Sequence, residues 1–93
     1  MTVDEAKWAF TVKLGASEDR SGEHIYFYFT DGNSEYTIGK MSHSWRGGKQ
    51  LNDWLIKSMA KKMCLSKKDF EQFVDCTLAK PQMLKKWRLQ RRH

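Results

Sequence analysis

The sequence has few of the residues that build covalent or membrane frameworks. It contains one proline and two cysteines in 93 residues. Its uninterrupted apolar stretches are only a few residues long, whereas a membrane-spanning helix needs about 20 apolar residues, so we expect no membrane span. Cys64 and Cys76 fall in predicted amphipathic helices with no signal peptide ahead of them. This favours buried free thiols in a reducing cytoplasm over a disulfide.

Metal-binding and nucleophilic patterns are also sparse. His24, His43 and His93 are scattered and form no close pair with each other or with a cysteine. Zinc sites need such paired ligands, and a reactive cysteine needs a nearby base and an electropositive, partly exposed setting. We therefore expect no metal and no cofactor. The residues favour a binding protein over an enzyme, although they leave catalysis undecided.

Positive charge is what the sequence has in excess, and it is unevenly placed. Residues 1–48 carry five Lys/Arg and seven Asp/Glu, a balance of −2, whereas residues 49–93 carry twelve and four, a balance of +8, which together give the net +6. Concentrated cationic charge attracts polyanions, of which nucleic acid is the commonest, although a basic face can also serve only solubility. The length predicts one domain with a β-rich half (1–48) and a basic helical half (49–93).

Three segments of the first half have the alternation of strands. Apolar and polar residues alternate over 8–14 (WAFTVKL) and 24–30 (HIYFYFT), and 35–39 (EYTIG) follows an Asp-Gly turn. The polar stretch 15–23 is expected to be a loop. The pattern therefore predicts a three-stranded antiparallel sheet, and its outer face would carry Lys13, Tyr26, Tyr28 and Thr37.

The second half has helical periodicity. From Lys49 the apolar residues recur at a period of 3.6, which predicts a helix with a buried stripe. Ser66, with Asp69 three residues later, resembles a capping box that opens a second helix, and Pro81 would end it. Residues 83–93 fit a third helix. The expected fold is α+β, a three-stranded antiparallel sheet followed by two or three helices packed on one face. The buried stripes would be Leu51, Trp54, Leu55, Met59 and Met63 in the first helix and Phe70, Phe73, Val74, Thr77 and Leu78 in the second.

These observations favour a small basic nucleic-acid-binding regulatory protein of phage or plasmid type, located in the cytoplasm. Exposed aromatic side chains on a sheet or a basic helix can stack on bases, while lysine and arginine bind phosphates. The residues expected to stack are Tyr26, Tyr28 and Trp87, although Trp87 would alternatively dock in the core. The residues expected to bind the backbone are Arg46, Lys49, Lys57, Lys61, Lys67, Lys68, Lys85, Lys86, Arg88, Arg91 and Arg92.

Residues 58–78 resemble a helix-turn-helix. Ala60 stands where that motif has a small residue, and Ser66 opens the second helix, whereas Cys64 occupies the turn position that is usually glycine. The resemblance implies that the second helix enters the DNA major groove. The side chains facing the groove would then be Lys67, Lys68, Glu71, Gln72 and Asp75.

A longer stretch, residues 22–70, resembles the HicA family of small RNA-cleaving toxins. Gly22 and His24 open a strand as in that family, Ser42 and His43 match its following loop, and LSKKDF (65–70) matches its ending. The resemblance implies a double-stranded-RNA-binding-like fold and a catalytic His24. The strand predicted at 8–14 stands where the family has an N-terminal helix, and Glu23 stands where it has serine.

Two other interpretations have a protein as the partner. The helical half could dock on an acidic protein as an inhibitor or adaptor, and the outer face of the sheet could be covered by a second copy in a homodimer. The sequence does not distinguish DNA, RNA and an acidic protein as partners.

Overall fold

The structure is a computed structural model that describes the backbone of residues 1–91 and the side chains through Leu89. It confirms an α+β fold with a three-stranded antiparallel sheet. Arg92 and His93, which the sequence assigned to a third helix, lie outside the described residues. The elements in chain order are α1 (Val3–Trp8), a π-helical segment (Ala9–Lys13), β1 (Ser17–Asp19), β2 (His24–Asp31), β3 (Ser34–Ser42), α2 (Asp53–Lys62), α3 (Lys67–Val74) and α4 (Lys80–Arg91).

The chain forms two compact units, and the second begins at Leu51. The first unit, Met1–Gln50, contains α1, the π-helical segment and the sheet. The second contains α2, α3 and α4, of which α3 packs against both of the others.

The strand predicted over residues 8–14 is wrong, because this segment is helical. Thr2 and Glu5 form a capping box: the Glu5 N–H donates to Thr2 Oγ1 at 3.2 Å and the Thr2 N–H donates to Glu5 Oε1 at 2.9 Å. The helix buries Phe10 completely and leaves Val12 65% exposed, so the alternating residues do not share a face. Helical spacing also fits this segment, and the cap at its start favours the helix.

The end of the first helix is widened into a π-helical turn. The Leu14 N–H donates to the Ala9 carbonyl five residues earlier at 2.9 Å, and the Thr11 hydroxyl donates to the Lys7 carbonyl at 2.8 Å. Such a turn inserts one residue into the helical spacing. Phe10 and Leu14 are both buried, at 0% and 1% exposure.

The sheet has the order β1-β2-β3, with β2 in the centre. Asp31 pairs with Ser34, so the hairpin loop is Gly32 and Asn33, and Gly32 has a φ of 64°. This confirms the turn predicted from Asp-Gly. β1 lies within the stretch expected to be a loop, where its three residues pair with β2.

A bulge and a close aromatic contact shape the inner face of the sheet. Phe27 pairs with Gly39 whereas the next residue, Tyr28, pairs with Thr37, so β3 has one residue more than β2 at this point. The rings of Phe10 and Phe27 lie 5.0 Å apart between centroids, next to Gly39. α1 and its π-helical continuation therefore pack on the sheet through Phe10.

α2 begins at Asp53, four residues later than expected, because Asn52 caps it. The Leu55 N–H donates to Asn52 Oδ1 at 2.9 Å. Of the predicted stripe, Leu51, Met59 and Met63 are buried as expected and Leu55 is half-buried, whereas the burial predicted for Trp54 is wrong, since Trp54 is 72% exposed. The stripe that is buried consists of Ile56, Met59, Ala60 and Met63.

Both cysteines are exposed free thiols, so the expected burial in helices is wrong. Cys64 follows α2 with a φ of 57°; its N–H donates to the Lys61 carbonyl at 3.0 Å and the Leu65 N–H donates to the Ala60 carbonyl at 2.9 Å. This is a Schellman helix end, in which the left-handed residue is usually glycine. Cys76, with a φ of 70°, follows α3 in the same conformation.

The remaining helix ends agree better with the sequence. Ser66 Oγ accepts from the Asp69 N–H at 3.1 Å, as its spacing predicts. α3 ends at Val74, earlier than expected, so Thr77 is exposed rather than buried. α4 contains Pro81 in its first turn. Among the residues that are described, no helix is long and apolar enough to cross a membrane.

Candidate nucleic-acid interface

Three of the predicted cationic side chains line one open depression at the turn between α2 and α3. Lys57 and Lys61 come from α2, and Lys67 opens α3. We call this depression, of about 410 Å³, the lysine cleft; its other lining residues are Ala60, Cys64, Leu65 and Ser66. The helix start at Asn52 and the left-handed turn at Cys64 place these lysines together. The cleft concentrates positive charge where a phosphate could approach from solvent.

The lysines of the cleft differ in their ion pairs. Lys67 Nζ lies 3.1 Å from Asp53 Oδ1 and 3.8 Å from Glu71 Oε1. Within residues 1–89, neither Lys57 nor Lys61 forms a salt bridge. Exposed ion pairs stabilise proteins by only about 0–1 kcal/mol, so Lys67 can still exchange partners. Among the three lysines of the cleft, Lys57 and Lys61 are therefore the more available to an added anion.

The other predicted cations of the helical unit are dispersed. Lys68, Lys85, Lys86 and Arg88 are all exposed, and Lys86 Nζ lies 3.6 Å from Asp69 Oδ1. The side chain of Arg91 and the whole of Arg92 lie outside the described part. The structure therefore brings three of the predicted phosphate-binding residues into one cleft, and the lining does not include the other predicted cations whose side chains are described.

Arg46 and Lys49 belong to the first unit. They line a second open depression, of about 780 Å³, together with Ser44, Trp45 and Gly48. Backbone hydrogen bonds tie this loop to the beginning of the chain: the Val3 N–H donates to the Lys49 carbonyl and the Asp4 N–H donates to the Gly47 carbonyl, both at 2.9 Å. The loop is thus held in place by α1 rather than acting only as a linker.

The outer face of the sheet carries a row of rings on β2. His24 and Tyr26 meet edge to face, and Tyr26 and Tyr28 are stacked, each pair with centroids 6.3 Å apart. We call His24, Tyr26 and Tyr28 the aromatic row. All three are half-buried, and Lys40 lies opposite Tyr26 on β3. Lys13, which was expected on this face, lies instead in the π-helical segment.

Charges beside the aromatic row have both signs. Asp19 pairs with Tyr26 on the other side of β2. The hydroxyl and the backbone N–H of Ser21 donate to Asp19 Oδ1 at 2.6 and 2.9 Å, and they hold the pKa of this carboxyl below its ordinary value. The carboxylate is therefore charged at neutral pH and opposes a phosphate on that side, whereas Lys40 favours one on the other.

The histidines that resemble the HicA pattern lie near the same end of the hairpin. His24 pairs with Ser42, and the His43 Nε2 lies 2.9 Å from the Gly22 carbonyl, with which it forms a hydrogen bond. The loop after β3 is therefore fixed against the start of β2. Within the described residues, no group of three or more His, Cys, Asp or Glu side chains is arranged to hold a metal ion.

Two tryptophans exchange their expected roles. Trp87 is only 3% exposed, so it docks in the core and does not present its ring for stacking. Trp54, which the sequence assigned to the core, is on the surface. The signal that could have revealed the exposure of Trp54 is its spacing from Met63, since two residues nine positions apart on a helix lie on opposite sides and cannot share one buried stripe.

The spacing of a helix-turn-helix is present between α2 and α3. Ala60 is buried and Cys64 adopts the left-handed conformation of the turn glycine. However, α3 has eight residues and bears three acidic groups on itself or at its end, Asp69, Glu71 and Asp75.

No protein-family model, curated protein or solved structure matches the chain.

Proposed function

We propose that the protein binds nucleic acid through the lysine cleft, as a small regulatory protein of phage or plasmid type. The observation that carries this proposal is the convergence of Lys57, Lys61 and Lys67 on one open depression. Two of these lysines have no salt bridge within residues 1–89. Contacts to phosphates release counterions and supply much of the affinity of nucleic-acid-binding proteins.

The α2 side of the cleft is a better contact surface than α3. In a helix-turn-helix, α3 would enter the major groove with Glu71 and Asp75 close to phosphates. Their negative charges oppose that approach, and Lys67 is partly neutralised by Asp53 and Glu71. We therefore assign the principal phosphate contacts to Lys57 and Lys61.

Fluorescence anisotropy with single-stranded and duplex RNA and DNA tests the proposal. The affinity should fall steeply between about 50 and 200 mM salt, and the slope of log K against log salt should decrease by about 0.7–0.9 for each phosphate contact removed. Lys57→Ala and Lys61→Ala should each lower the slope. Lys62→Ala is the matched control, because Lys62 is exposed on the same helix but does not line the cleft. Absence of binding to every probe at low salt contradicts the proposal.

RNA cleavage with His24 as the catalytic residue is a second candidate. It is supported by the helix found at Val3–Trp8, before the three strands, since the HicA family also begins with a helix. The sequence alone suggested a strand there. His24 also lies at the end of an aromatic row, on which unpaired bases could stack.

Incubation with structured and unstructured RNA in the presence of EDTA tests this candidate. His24→Ala should abolish cleavage while leaving the circular dichroism spectrum and the affinity for duplex DNA unchanged, because the residue is half-buried at the start of a strand. Equal cleavage by both proteins would indicate a contaminant. No cleavage by the parent protein would remove this candidate and leave the binding proposal standing.

Docking on an acidic protein and homodimerisation stay predictions.

A further inference from the structure

Trp54 is the most exposed of the large apolar side chains in the described part of the chain. Its exposure is 72%, compared with 44% for Trp8, 65% for Val12 and 55% for Leu89. Burying a tryptophan is strongly favourable, and tryptophan at a surface often marks a contact with a partner. Its position on α2 indicates what such a partner would be.

Trp54 projects from the side of α2 opposite to its buried stripe. Because an α-helix advances by about 100° per residue, Trp54 lies opposite Met63, while Lys57 and Lys61 project within about 60° of it. Along the helix axis, Lys57 and Lys61 follow Trp54 by roughly 5 and 10 Å. Trp54, Lys57 and Lys61 therefore form one continuous face of α2. Within residues 1–89, the two lysines of this face have no salt bridge.

An indole next to cations suits an unpaired nucleotide strand. Base stacking on an aromatic ring is tolerant of sequence, but it requires a base whose flat face is accessible. Bases within a duplex already stack on their neighbours, so a ring on a helix surface reaches them poorly. An apolar protein partner would cover Trp54 but would leave Lys57 and Lys61 without compensating charge.

The acidic groups around this face do not reverse its preference for a negatively charged nucleotide strand. Asp53, the residue before Trp54, is 78% exposed in its side chain and is paired with Lys67. Glu71 is the second acid near the cleft, and it faces the same lysine. Asp53 lies one helical turn before Lys57 and about 12 Å before Lys61 along the axis of α2, and both carboxylates are paired with Lys67 rather than with Lys57 or Lys61.

We propose that Trp54 stacks on an unpaired base and that this face of α2 binds single-stranded nucleic acid, with Lys57 and Lys61 on adjacent phosphates. The inference rests on the proposed function and specifies its ligand class. It adds a recognition element that carries no charge. Loss of Trp54 should therefore lower the affinity without changing the salt slope, whereas loss of a lysine should change both.

The test uses the full chain and fluorescein-labelled oligouridine, oligothymidine and a mixed-sequence duplex. Trp54→Ala should weaken binding of both single strands by about 5- to 150-fold, which corresponds to the roughly 1–3 kcal/mol that stacking contributes per base. Duplex binding and the salt slope should stay unchanged, because no phosphate contact is removed. Trp54→Phe should restore most of the single-strand affinity. Trp8→Ala, which removes another exposed indole, is the matched control and should have no effect.

The outcomes separate this inference from the function on which it rests. Loss of affinity in Lys57→Ala with none in Trp54→Ala would overturn the stacking role and leave nucleic-acid binding intact. An equal loss for single strands and duplex in Trp54→Ala would overturn the preference for unpaired bases. A parent protein that binds none of the probes at low salt would remove both proposals. Circular dichroism of Trp54→Ala should match the parent, because the side chain is largely in solvent.

Discussion

Replacing Gly39 by alanine tests how the first helix packs on the sheet. A Cβ at this position would lie 3.0 Å from Phe10 Cε2, 3.1 Å from Phe10 Cζ and 3.3 Å from Phe27 Cδ2. Both rings are completely buried, so neither can move into solvent to make room. The added methyl group therefore overpacks the contact between the helix and β3.

Two effects of opposite sign set the magnitude for Gly39→Ala. Overpacking a buried contact destabilises by about 1–3 kcal/mol. Removing a glycine from a strand stabilises by roughly 0.5–1 kcal/mol, because the unfolded chain loses conformational freedom. The middles of these ranges leave a net expected loss of about 1 kcal/mol in the free energy of unfolding, which lowers the Tm of a domain of this size by roughly 4–8 °C.

Thermal and urea unfolding followed by circular dichroism measure this loss. Gly48→Ala is the matched control, because a Cβ there would meet no atom within 4 Å, and it should leave the Tm unchanged or slightly higher. Phe10→Leu should partly relieve Gly39→Ala, so the double mutant should be more stable than the sum of the single changes. A Gly39→Ala protein as stable as its parent would refute the packing of Phe10 against β3, and with it the helical assignment of this segment.

Three further predictions concern the helix ends and the edge of the sheet. Cys64→Gly should raise the free energy of unfolding by up to about 1 kcal/mol in urea titrations, since the left-handed conformation strains a residue with a Cβ. Cys64→Ala keeps the Cβ and should not raise it. Equal free energies of unfolding for the two variants would contradict this explanation. Ser66→Ala should lower it by about 1 kcal/mol, because the Asp69 N–H loses its acceptor. Burial raises the pKa of the Glu18 carboxyl, but hydrogen bonds and charges from Lys7 and Arg20 outweigh it and hold the pKa below its ordinary 4.5. Glu18 therefore stabilises the fold above about pH 4.5 and loses this contribution as the pH falls further, so Glu18→Gln should flatten the acid limb of a stability–pH profile.

Local signals in the sequence predicted the parts of the fold in which one pattern dominates. Alternation over residues 24–30 and the Asp-Gly turn specified the hairpin, since a shift of one residue would expose its apolar face. Ser66 specified the start of α3 through a single hydrogen bond to a neighbour three residues away. Three lysines of the cleft could be named from composition, but their convergence could not.

The sheet hairpin, the basic character of the second half and the cap at Ser66 follow from the sequence, because each depends on neighbours along the chain. At the segment around Phe10 the strand and helix periods both fit, and the Thr2–Glu5 capping box favours the helix locally. Tertiary packing adds the contact of Phe10 with Gly39, and it leaves Trp54 exposed and Trp87 buried. Which side of α2 is buried depends on what packs against it, and Trp54 lies opposite the buried Met63 on a helix that advances by about 100° per residue.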